Sequence, residues 1–112
     1  MDPLLERGIA LFNHGAYFEC HEVLEEVWTP ERGDRRLFLQ SLIHVAVGLY
    51  HHERGNPAGA QRQLRKALRK LARYLPACEH IDTARLERDV LAALHAIENG
   101  APLSSYPQIH VD

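Results

Sequence analysis

The chain has 112 residues, of which 46% are apolar and 25% charged. That is the length of one domain and the balance of a folded globular protein, and it excludes a disordered chain. The net charge of -2 excludes a global pull toward nucleic acid, and two cysteines, Cys20 and Cys78, far apart and with no C-x-x-C pair, exclude a disulfide framework or zinc ribbon and fit a reducing, cytoplasmic setting.

Proline, glycine, aspartate and asparagine cut the chain into five helical segments with short joints. Asp2 followed by Pro3 is a cap and a favourable first helical residue, so a helix is predicted over 3–13, carrying Leu4, Leu5, Ile9, Leu11 and Phe12 and ended by Gly15. No basic segment leads from this start into an apolar run, so export is not expected. A second helix over 16–28 stops at Thr29-Pro30, because the residue before a proline is pushed out of the helical region. Asp34 caps a third over 35–54. It is apolar nearly all round from Leu37 to Tyr50, which marks it as the central element. That run is broken by Gln40, Ser41 and His44 and is too short to span a bilayer, so no membrane anchor is expected. Asn56-Pro57 opens a fourth helix over 57–75, stopped by Pro76, and Asp82 caps a fifth over 83–98, ended by Asn99-Gly100. Residues 101–112 read as an extended tail. The expected fold is all-α, a five-helix bundle of antiparallel helical hairpins.

A weak internal repeat supports the hairpins. Gly8, Ile9, Gly15, Cys20, Leu24 and Trp28 match Gly48, Leu49, Gly55, Ala60, Leu64 and Leu68 at a spacing of 40 residues. A small residue in the middle of each second helix allows close approach, as in tetratricopeptide hairpins, although those repeat at about 34 residues.

The stretch HEVLEEVW, His21 to Trp28, poses the functional question. At about 100° per residue, Tyr17, Leu24, Glu25 and Trp28 all fall within about 60° of His21, while Glu19, Glu22 and Glu26 fall on the opposite side as a solvated acidic face. The unit that matters is thus His21, Glu25 and Trp28, on a surface that is expected to pack on another helix. The partner predicted for it is the third helix, where Gln40, His44 and His51 share a stripe with Leu37 and Gly48. Charged groups on inward faces must meet each other or a ligand, so a buried His/Glu cluster is expected, in which Glu25→Ala would cost about 3 kcal/mol. His44 and His51 are about 10 Å apart along the axis, too far to share one ion. A simple antiparallel hairpin puts His21 level with His44, and a small change in the loop favours His51.

The strings FNHGAYFECHEVLEEVW and LYHHERGNPAGAQRQL resemble the signature of the domain of unknown function 309 family, small all-helical proteins without an assigned activity. The resemblance spans about Gly8 to Leu71 and carries the family pattern onto His21, Glu22, Leu24, Glu25 and Trp28, then His51, Asn56, Gly59 and Ala60. It implies a helical bundle, points to His51 over His44, and implies no reaction, cofactor or partner. Where the family usually has a glutamine or apolar residue, this chain has His44.

The reading that follows is a binding or protein-interaction module built around His21, Glu25, Trp28, Gln40, His44 and His51, rather than an enzyme. One alternative is a metal-binding or hydrolytic site in which Glu25 orients or activates His21 as acid or base. Against it, His21 to Glu25 lacks the second histidine of H-E-x-x-H, and no Glu-x-x-His occurs for a di-iron bundle. No G-x-S-x-G, phosphate-binding glycine loop or dinucleotide fingerprint occurs either. A second alternative is nucleic-acid binding through the fourth helix, with Arg62, Arg65, Lys66, Arg69, Lys70 and Arg73 and no acidic residue between Glu53 and Glu79. Aromatic residues do not interleave with those charges, so a solvated face, neutralised in part by Glu87 and Asp89 or by a partner chain, is the expected role. The expected partners are a second copy or another protein. Cys20 is expected to be an inert core residue.

Overall fold

A computed structural model describes all residues, Met1–Asp112. Five α-helices form: α1 (Pro3–Asn13), α2 (Tyr17–Trp28), α3 (Arg35–Glu53), α4 (Pro57–Leu71) and α5 (Thr83–Glu98). Their local causes are visible. Asp2 Oδ1 accepts from the Leu4 amide at 2.8 Å, Asn56 Oδ1 from the Gly59 amide at 3.0 Å and Asp82 Oδ1 from the Arg85 amide at 3.0 Å, each satisfying an orphan donor of a first turn. Asp34 differs from its expected role. Its backbone is already helical, its side chain caps nothing, and its carbonyl instead accepts from the Tyr74 hydroxyl at 3.0 Å. The fourth helix ends earlier than predicted, at Leu71, and its last turn tightens into a 3₁₀ turn over Ala72–Tyr74 before Pro76.

Each helix packs chiefly on its neighbours in the chain: α1 on α2, α2 on α3, α3 on α4 and α4 on α5. The central position of α3 follows from its composition, with nine of its nineteen residues buried, including Phe38, Leu39, Leu42, Val45 and Leu49. One apolar cluster of 24 residues joins all five helices and reaches Ile81 and Ile109 outside them. The tail is extended, as expected, and it is also fastened. The Asn13 amide grips the backbone of Ile109, donating to its carbonyl at 2.9 Å and accepting from its N–H at 2.7 Å. Asp82 N–H then donates to the His110 carbonyl at 2.9 Å, so the tail ties the α1–α2 joint to the start of α5. Arg35 adds a further polar tie between the start of α3 and the segment before α5, reaching Glu79 at 2.8 Å and Glu31 at 3.3 Å.

The 40-residue spacing has a structural counterpart. A Cβ on Gly8 would lie 2.8 Å from Leu24 Cδ2, and one on Gly48 would lie 2.7 Å from Leu64 Cδ2. In each hairpin a leucine of the second helix therefore sits directly on a glycine of the first. Gly15 and Gly55 turn the two hairpins with φ of +79° and +72°, a region costly for other residues. Leu64 is fully buried and cannot swing away. Gly48→Val is therefore expected to cost about 2 kcal/mol or more by overpacking, read from the urea midpoint of unfolding.

Candidate functional site

The groove between α2 and α3 is lined by Tyr17, Phe18, His21, Val47, Tyr50 and His51 and encloses about 140 Å³. Phe18 and Tyr50 form its aromatic edge with ring centroids 5.4 Å apart, and Phe18 is 45% exposed. Tyr17 is buried, stacked on Tyr106 of the tail at 6.2 Å between centroids. Burial pushes the Tyr17 hydroxyl above the usual tyrosine range and the Cys20 thiol up to about 12, so both stay protonated. Cys20 lies fully buried in the core, the place expected of it.

His21 sits at the mouth of this groove. Its Nδ1 is 3.1 Å from the Phe18 carbonyl and its Nε2 is 3.0 Å from Glu25 Oε1. Both facing atoms are acceptors, so only the doubly protonated ring donates to both at once. In the neutral ring one nitrogen keeps its lone pair turned toward an acceptor, with which it makes no hydrogen bond. His51 is set differently. Asn56 Oδ1 is used by the Gly59 amide, so the Asn56 NH₂ donates to His51 Nδ1 at 3.3 Å and leaves the proton on Nε2. His51, one of the groove's lining residues, therefore keeps an N–H on Nε2 that no other group of the protein accepts.

The expected single buried cluster does not form, and its six residues part into three places. His21 and His51 share the groove. Glu25 pairs with His21 but its side chain is 51% exposed, so the pair is a rim contact and not a buried network. Gln40 and His44 face α4 instead: His44 Nδ1 donates to Gln63 Oε1 at 2.8 Å, and Lys70 Nζ donates to His44 Nε2 at 2.8 Å and to Gln40 Oε1 at 3.1 Å. Trp28 lies outside the groove with the Arg36 guanidinium 3.8 Å over its ring, partly buried against the core, and its indole N–H is buried without an acceptor.

The cause is rotation rather than register. Phe18 meets Tyr50 and Trp28 reaches Arg36, which sets His21 nearest Val47, within one turn of the expected level of His44. The buried arc of α2, however, runs through Tyr17, Cys20, Val23, Leu24 and Val27. Its centre is Cys20, about 100° from His21 on an ideal helix, because α2 must bury one side on α1 and another on α3. Phe18, Val47 and Tyr50 were not singled out from the sequence. The available signal was Phe18, a large apolar side chain on the otherwise polar side of α2.

No group of three or more His, Cys, Asp or Glu side chains converges in the geometry of a metal site. The basic face of α4 is only partly free. Arg65 pairs with Glu98 at 2.6 Å, in place of the expected Glu87 and Asp89, and Lys70 turns inward to the His44 seam. No helix is long and apolar enough to cross a membrane.

Residues 5–63 match the family described as "Domain of unknown function (DUF309)". The chain belongs to this family. Across 96 residues it is 38% identical to "Uncharacterized protein YpuF" of Bacillus subtilis (strain 168), a match covering 83% of this chain and 53% of that protein. An "Uncharacterized protein" of Aquifex aeolicus (strain VF5) is 30% identical over 70 residues, 62% of this chain and 21% of its own length. The chain thus spans about half the length of the first relative and about a fifth of the second. The DUF309 match contains all six residues lining the groove and ends at Gln63, so the Lys70 end of the His44 seam and all of α5 lie beyond it.

Two outcomes follow from these contacts. Because Glu25 is half exposed, Glu25→Ala is expected to cost under about 1 kcal/mol, the range of a surface ion pair, as read by urea unfolding. His44 is held below its usual 6.5 by burial first, and also by the cations of Lys70, Lys66 and Arg69, against the opposing Gln63 bond. The unfolded chain therefore takes up this proton first as the pH falls. The His44 contribution to stability is full above the unfolded value and is lost below it. Urea midpoints at pH 8 and pH 5 are expected to differ less for His44→Gln than for the wild type.

Proposed function

We propose that the chain is a binding module that takes an apolar side chain of a partner polypeptide in the groove between α2 and α3. The observation that carries this reading is the groove itself, about 140 Å³ walled by Tyr17, Phe18, Val47 and Tyr50, with Phe18 left 45% exposed at its edge. Pockets for whole small molecules run to about 300–1,000 Å³, whereas this volume suits one large side chain. The His51 Nε2–H supplies a single donor beside it, which suits a backbone carbonyl next to such an anchor. A cytoplasmic setting fits the two free thiols, Cys20 and Cys78.

The metal-binding or hydrolytic reading has less support, since no group of three or more His, Cys, Asp or Glu side chains around the His21–Glu25 pair converges in a metal-holding geometry. The test is selection of a random peptide library on the immobilised protein. Enriched peptides are expected to share one aromatic or large aliphatic residue and to bind Phe18→Ala about tenfold more weakly, near 1.4 kcal/mol. A library without enrichment, or peptides indifferent to Phe18→Ala, would remove the proposal. Circular dichroism of the variant establishes that it folds.

A further inference from the structure

Beside the groove, the hydrogen-bond partner of His21, Glu25, lies with Glu22, Glu26, Thr29 and Pro30 along a shallow, open cleft on α2. Glu19, Glu22, Glu25 and Glu26 are all exposed on α2, and no lysine or arginine lies within ion-pair distance of any of them. The carboxylates elsewhere in the protein that border cations use them: Asp2, Glu31 and Glu79 share Arg35, and Glu98 holds Arg65. The α2 face is thus an uncompensated anionic surface joined to an apolar groove through one His–Glu contact.

We infer that the polypeptide bound by the groove is basic, with its apolar anchor between α2 and α3 and a lysine or arginine in the cleft of Glu22, Glu25 and Glu26. The inference rests on the groove reading above and adds the charge and spacing of the ligand. From His21 to Glu25 or Glu26 is about 6–8 Å along the helix, at about 1.5 Å per residue. An extended peptide covers that in about two residues, at about 3.4 Å each, so the basic residue lies two to four positions from the anchor.

A second copy of this chain is the weaker occupant. It offers exposed Arg62, Lys66 and Arg69 on α4 and, past the end of that helix, Leu75 two positions from exposed Arg73, but Leu75 is only 37% exposed, so most of it is already covered by its own fold. The charges of α2 would also raise the rate of encounter with a basic segment and make binding fall with salt.

The deciding experiment selects one random peptide library in parallel on the wild type, on Glu22→Gln/Glu26→Gln and on Phe18→Ala. Glu25 is left in place so that the His21 contact is undisturbed. Wild-type selection is expected to enrich peptides with an anchor and lysine or arginine two to four positions away. Those peptides are expected to bind the double glutamine variant about threefold or more weakly and to lose affinity between low and high salt. Enrichment of anchored peptides with neutral or acidic flanks overturns the charge inference and leaves the groove reading standing. Basic peptides that ignore Phe18→Ala overturn both readings, since they would be held by the acidic face alone. Sedimentation showing self-association that is lost in Phe18→Ala would assign the groove to a second copy and overturn the inference.

Discussion

The whole structure depends on covering α3. A helix with Phe38, Leu39, Leu42, Ile43, Val45, Ala46 and Leu49 distributed around it has no face to give to water over its middle turns, so it must be flanked on more than one side. The flanking helices are those next to it in the chain, because short joints at Thr29–Asp34 and Arg54–Asn56 leave them nowhere else to go. Close approach is then fixed by one contact, Leu64 on Gly48, where any Cβ would overlap the leucine. With α2 and α4 committed to α3, the outer helices α1 and α5 have only the far sides of α2 and α4 to cover.

The fold was legible because its signals are local and agree. Asp2-Pro3, Asn56-Pro57 and Asp82 cap as they read, and the glycine turns at Gly15 and Gly55 take the left-handed backbone that a hairpin of helices needs. The match of Gly8 and Leu24 to Gly48 and Leu64 was visible as a spacing, but its meaning as the same glycine-on-leucine contact needed coordinates. Less legible was the end of α4, where Pro76 marks only the outer limit of the helix and the chain already tightens at Ala72. The grip of Asn13 on Ile109 is separated by 96 residues and leaves no local signature.

The site was legible in composition and not in rotation. On an ideal helix the α3 residues that meet α2, such as Arg36 and Tyr50, lie about 80–120° to one side of His44, and Gly48, which meets α4, lies about 40° to the other. His44 and Gln40 fall between these faces. Sequence periodicity places them inward without saying which neighbour they face, and the long side chains of α4 resolve it, since Lys70 and Gln63 reach back to them. The same ambiguity affects His21, which borders the buried arc of α2 without lying at its centre.

The two histidines then separate by what surrounds them, and this separates structure from binding. His44 faces one amide oxygen and one ammonium, a set satisfied by a neutral ring that donates from Nδ1 and accepts at Nε2, so the seam is closed on itself and has nothing left for a ligand. His21 faces two oxygens, and its carboxylate partner stays half in water, so the contact is cheap to remodel and its second oxygen is open to solvent. A half-buried network closed on itself resists rearrangement, whereas a rim pair beside an exposed phenylalanine can change partners when a chain arrives. Residues of the same type thus fix the α3–α4 packing at one place and border an open groove at another. The difference lies in the partners and in the sign of the neighbouring charge, not in the identity of the imidazole.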